Sequence, residues 1–182
     1  MRVRSKWSKR DKTHSVEEVA GALAFIAFRI AGNAVLNMEN HEYETDNQAQ
    51  RLDIMSEFLA FTIHIIDRMT IEKFDAEQRQ RFMIELALKS AKHIEDNRRD
   101  VQGPGDYRQA FIDMLNERMD EYSDCDYDEK EGASFVMRRL FGDHVTKLMG
   151  EKHKQWVTAQ VIDIEVPDLF RTLNKSLPNL FM

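Results

Sequence analysis

Residues Ala20 to Leu36 read AGALAFIAFRIAGNAVL, an apolar stretch with one charge, Arg29, near its middle. Nothing else in the chain limits the fold as strongly. The stretch is too long for one strand, and its alanines favour helix. A helix that is apolar on more than one side must be covered on more than one side. The expectation is an all-α protein, a bundle of about six to seven helices with a buried central first helix. A membrane span is the competing reading. A span needs about twenty apolar residues and tolerates a central arginine only at high cost, so no transmembrane segment is expected.

Breakers are scarce: seven glycines and three prolines in 182 residues. That scarcity favours long helices over many short strands. Charge is uneven. Residues 1–14 hold six Lys or Arg against one acid, so they carry +5 of a chain whose net charge is −6. Residues 1–14 read as a disordered basic tail, and 15–182 as one all-α domain with a possible subdomain seam at 102–106. The acidic body argues against nucleic acid as the partner. The single cysteine, Cys125, can form no internal disulfide, which points to the cytoplasm. Its acidic neighbours in Ser-Asp-Cys-Asp disfavour a thiolate, so no nucleophile is expected there.

Ser15-Val16-Glu17-Glu18 has the form of a capping box and starts the first helix, predicted to run to about Met38. A polar connector, His41–Asp46, ends at Thr45 or Asp46, either able to cap a second helix from about Asn47 to Met69. Its apolar stripe is Leu52, Met55, Leu59, Ile63 and Ile66. A third helix covers about Ala76 to Asp100, and Gly103-Pro104-Gly105 breaks it. A fourth spans about Asp106 to Tyr122. Residues 123–131 read as an acidic loop, and later helices are expected at about 130–149 and 151–165. Gln160–Val166 alternates like a strand but lacks a partner, so helix is preferred. Pro167 suits the first turn of a last helix.

Two long helices joined by a short connector pack antiparallel by default. A turn near Tyr43 puts Arg29 level with Glu57 and Asn33 level with Asp53. Arg29 stands among Phe25, Ile26, Phe28 and Ile30, and a buried guanidinium needs an acid. The expectation is an Arg29 pair with Glu57 or Asp53. Arg29, Asp53, Glu57 and His64 together form the candidate polar or ligand cluster. Gly21, Phe25, Phe28, Gly32 and Leu36 make a second face of the first helix, to be covered by later helices or by an identical chain.

The chemical motifs are sparse. There is no Glu-x-x-His for a carboxylate-bridged metal pair, no Gly-x-Ser-x-Gly elbow, no Walker loop and no Gly-x-Gly-x-x-Gly. His64 and Asp67, three apart on one helix, are the weak metal candidates. His93 lies on the inward stripe of the third helix, where a hydrogen-bonded core histidine is the ordinary reading. Asp120, Asp124, Asp126, Asp128 and Glu131 fit an EF-hand poorly, because Cys125 would stand where the loop needs glycine. No catalytic residue and no cofactor are expected. The leading expectation is a non-enzymatic helical interaction protein that binds itself, as a homodimer, or another protein. The alternatives are a metal- or small-ligand-binding bundle, and a peripheral binder of anionic membrane surfaces through Arg2–Lys12.

Overall fold

The computed structural model describes residues 14–181. The basic stretch Arg2–Lys12 lies outside them. The chain is an all-α multi-helix bundle: α1 (Val16–Asn40), α2 (Gln48–Thr70), α3 (Ala76–Gln102), α4 (Tyr107–Ser123), α5 (Phe135–Met149), α6 (Val157–Gln160) and α7 (Val166–Ser176). Helix starts follow local chemistry. Ser15 Oγ accepts from the Glu18 N–H at 3.1 Å, while the Ser15 N–H donates to Glu18 at 3.0 Å, completing the capping box. Helix α2 is capped by Asn47, whose Oδ1 accepts from the Gln50 N–H at 2.9 Å. Thr45 instead donates to Glu39 on α1 at 2.7 Å. At Gly103 the chain takes φ 78°, a conformation glycine reaches without Cβ strain, and α3 ends there.

Directions follow from the contacts. Helix α1 packs along both α2 and α3. Glu17 pairs with Arg81 and Phe28 stacks on His93, so α3 runs parallel to α1. The pairs Asp67–Arg79 and Asp53–Arg98 set α3 antiparallel to α2. Helix α4 lies parallel to α2, with Glu57 on Arg118 and His64 beside Tyr122. Helix α5 returns antiparallel: Phe58 and Phe61 meet Phe141, and Gln50 Nε2 donates to the Leu148 carbonyl at 3.0 Å. Helix α2 is thus ringed by α1, α3, α4 and α5, and every residue from Ile54 to Asp67 is buried.

Helix α1 sits to one side of that centre. Ala20, Ala24, Ala27, Ala31 and Ala34 are buried at spacings of four and three, and their small side chains let two neighbours approach closely. Helix α7 covers part of another side, lying against α1 from Ile30 to Asn37. The first helix is therefore covered from more than one direction. The stripe through Gly21, Phe25 and Leu36 stays open, with Phe25 52% and Leu36 48% exposed. By length and composition α1 could also cross a membrane, but half of its most apolar window is buried inside the bundle.

Two local features differ from the sequence reading. The acidic loop holds a small antiparallel pair, β1 (Tyr127–Asp128) and β2 (Gly132–Ala133), with Tyr127 opposite Ala133. Helix α5 accordingly begins at Phe135. Between α6 and α7 the chain is helical, as preferred, but Val161–Glu165 forms a wide turn in which the Val166 N–H donates back to the Val161 carbonyl. The apolar C-terminal residues are used internally: Leu177 and Leu180 are buried, and Phe181 packs on Phe74 at 5.5 Å.

Candidate functional site

Glu57, His64 and Asp67 of α2 are buried and Asp53 is partly exposed, and the partners of the three acids come from α3 and α4. Glu57 receives two hydrogen bonds from Arg118, at 2.9 and 2.8 Å. Asp67 receives two from Arg79, at 2.8 and 2.7 Å. Asp53 pairs with Arg98. Two parallel N–H donors on one carboxylate make the strongest common ion-pair geometry, and it offsets the cost of removing both charges from water. The Asp67 and Glu57 bonds also hold the Arg79 and Arg118 guanidiniums above their ordinary pKa. From Arg118 the network runs to Glu121 at 3.5 Å, and Glu121 meets His144 Nε2 on α5 at 2.6 Å.

Arg29 takes no part in this network. It is exposed on the outer side of α1, its guanidinium 5.9 Å from the Phe25 ring. The expected pair with Glu57 or Asp53 is not formed. The alanine seam, directed at α2 and α3, leaves residue 29 facing away, and its aromatic neighbour Phe25 is itself half exposed, so no burial forces Arg29 to find an acid. Asn33 is likewise not beside Asp53; it lines a separate cavity against α7.

Asp53 and Glu57 do share a cavity. It has a volume of about 390 Å³ and lies among α2, α3 and α4, with Ile94, Phe111 and Met114 as apolar walls and Arg98 at its polar end. His64 is two turns further along α2 and belongs to a drier spot. It is buried, its ring 5.5 Å from that of Tyr122. Burial, aided by the Arg68 cation and opposed by Asp67, lowers its pKa to about 4. Arg68 Nε donates to His64 Nε2 at 3.3 Å, so the proton of the neutral ring belongs on Nδ1. Both that Nδ1 and the Tyr122 hydroxyl are buried without a hydrogen-bond partner among the described residues. Burial drives the Tyr122 pKa well up, with the Glu57 charge adding to it.

The weak metal pair does not converge. His64 presents Nε2 to Arg68, and both oxygens of Asp67 belong to Arg79. No group of three or more His, Cys, Asp or Glu able to hold an ion occurs among the described residues. A carboxylate with both oxygens on a guanidinium is also a poor general base, because removing a proton elsewhere would require breaking the pair. Cys125 donates to the Glu121 carbonyl at 3.8 Å, and burial with Asp124 and Asp126 nearby raises its pKa. His93 stacks between α1 and α3 against Phe28 at 5.2 Å rather than sitting in a hydrogen-bonded core position.

The residues missed from sequence are the arginines. Arg118 follows Phe111 and Leu115 at helical spacing, so it lies on the inward stripe of α4, and an inward arginine calls for an acid on a facing helix. Arg98 stands four residues after Ile94 in the same way. Comparisons with models of known families, with curated proteins and with solved structures returned no match. The fold and this network define an all-α bundle clamped by arginine–carboxylate pairs, of which Glu57–Arg118 is the most buried.

Proposed function

We propose that this protein works by binding rather than by catalysis, and that it binds a second copy of itself through the outer stripe of α1. The observation that carries the reading is the pair of half-exposed residues Phe25 and Leu36, with Gly21 beside them facing open space: beyond its own helix backbone, no described residue comes within 4 Å of its Cβ position. Glu18, Gly21, Phe25, Arg29, Gly32 and Leu36 recur every three or four residues, so they share one side of the helix. Two such stripes crossed antiparallel near Ala27 set Phe25 against the partner's Arg29, and Gly21 within a residue of the partner's Gly32. Gly21 permits close approach there, while Gly32 already faces Met55 of α2 at 3.5 Å, and the arginine–aromatic contact present within one chain recurs between the two.

The test is sedimentation equilibrium or light scattering over a range of concentrations. A mass of twice 21.4 kDa, reverting to a monomer in Phe25→Glu, is the expected result. A wild-type chain that stays monomeric at high micromolar concentration sinks the reading. A second reading, a small-ligand site, is favoured by the cavity bounded by Asp53 and Glu57, whose apolar walls and few convergent polar groups have the usual makeup of such sites. Its readout is a melting shift with added small molecules that Met114→Trp abolishes.

A further inference from the structure

A second cavity, of about 410 Å³, lies between α1 and α7, and one residue in it stands apart. Glu165 is buried, at 2% exposure, yet no cation pairs with it among the described residues. Asn37 on α1 donates to its Oε1 at 2.8 Å, and Gln160 donates to the same oxygen at 2.9 Å. The other oxygen, Oε2, has no hydrogen bond among the described residues. Burial pushes the carboxyl above its ordinary pKa, with the Asp168 charge adding to it, while the amides of Gln160 and Asn37 and the nearby His41 pull in the opposite direction. Every other strongly buried acid in the bundle, Glu57, Asp67 and Glu95, is held by arginine.

The backbone is unusual at the same point. Glu165 closes the wide turn Val161–Glu165, which interrupts an otherwise regular helical path. Such turns insert one residue and re-aim the side chains around them, and they recur at binding sites. A purely structural tie between α7 and α1 would be served by a glutamine, which accepts the same two hydrogen bonds without burying a charge. The remaining lining has a direction. Ile30, Ala34 and Leu169 form apolar walls beyond the carboxylate, Asp168 and Arg171 line the groove as an ion pair with each other at 2.6 Å, and Lys175 stands ten residues beyond Glu165. Lys175 has no acidic partner among the described residues, and a helical side chain leans toward the N-terminus, back along the groove.

We propose that this groove binds a small alkylammonium compound, its ammonium on Glu165 Oε2, its alkyl part along Ile30, Ala34 and Leu169, and an anionic far end toward Lys175. A linear ω-amino acid has that chemistry. The site is separate from the α1 stripe and from the α2 network, so it stands whether or not the chain dimerises.

The experiment is calorimetry and thermal shift on the full chain with δ-aminovalerate, n-butylamine and valerate. The amino acid should bind best, the simple amine more weakly, and valerate not at all. Glu165→Gln keeps both amide hydrogen bonds and should reduce affinity for δ-aminovalerate by roughly tenfold to a hundredfold, the loss of one charged hydrogen bond. Unchanged affinity in Glu165→Gln, equal binding of valerate, or no response to either amine overturns the proposal. Should that variant fail to fold, the wild-type chain still decides. The side-chain amide NMR signals of Asn37 and Gln160 must shift on adding δ-aminovalerate, and shifts confined to other residues would overturn the assignment.

Discussion

Helices α1 and α2 are similar in length and bury themselves in opposite ways. Helix α1 has a single charge between Ala20 and Leu36, yet only ten of its 25 residues are buried. Helix α2 carries Arg51, Asp53, Glu57, His64, Asp67 and Arg68, yet sixteen of its 23 residues are buried. A helix is enclosed according to how many neighbours surround it. Its own polarity sets what those neighbours must supply. Glu57 and Asp67 go inside because α4 and α3 bring Arg118 and Arg79 to meet them, while Asp53 pairs with Arg98 nearer the surface. The phenylalanine at position 25 stays outside because the inward side of that helix is the alanine seam with Leu23, Ile30, Val35 and Met38 beside it, a side that position 25 does not share.

The largest expected effect separates the two helices by aromatic truncation. Phe61 is fully buried and stacks on Phe141 at 4.2 Å, so Phe61→Ala should cost about 3–5 kcal/mol in urea unfolding. Phe25→Ala, measured at a concentration low enough to keep the chain monomeric, should stay within about 0.5 kcal/mol. A large cost at Phe25 under those conditions would mean that the α1 stripe is covered in the monomer.

Charge removal sharpens the same contrast at a smaller scale. Glu57→Ala leaves the Arg118 guanidinium, 12% exposed, without its main partner and should cost about 3 kcal/mol. Arg29→Ala removes an exposed charge and should change stability by less than about 0.5 kcal/mol. A double-mutant cycle between positions 57 and 118 should show strong coupling, and one between 57 and 29 none. Coupling between 57 and 29 would contradict the packing described.

The smallest of the three is a pH effect carried by α2. His64 has a pKa near 4 in the folded chain against an ordinary value of 6.5. The unfolded chain therefore binds more protons between those values, and the folded state loses stability as acid is added. Stability is full above about pH 6.5 and falls as pH drops toward 4, with this group's share on the order of 2 kcal/mol. His93, lowered by burial, acts in the same direction. Urea unfolding at pH 7 and pH 5 should show the loss, and His64→Gln should flatten it. An equal loss in that variant would place the titration elsewhere.

Much of the architecture was legible because it is written in local rules. The Ser15–Glu18 box, the stripe Leu52–Met55–Leu59–Ile63–Ile66 and the break at Gly103 each concern residues within a few turns of one another. The candidate site was legible only in half. Asp53 and Glu57 could be placed on one side of α2, but their partners stand 45 and 61 residues away, where no local pattern connects them. Reading Arg29 as the partner came from assuming that apolar neighbours in sequence mean burial in space. The wide turn at Val161–Glu165 was hidden too, because its residues alternate like a strand and its hydrogen bonding differs from a helix by one position.

The sequence by itself determined that this chain makes long helices, where most of them start and stop, and that α1 and α2 form a hairpin, since propensity, capping and periodicity act over a few residues. Tertiary structure alone decided which helix occupies the centre, which arginine answers each buried acid, and which acid, Glu165, receives amides instead. Those outcomes depend on which surfaces meet, and a burial cost or an ion pair exists only after distant segments have come together.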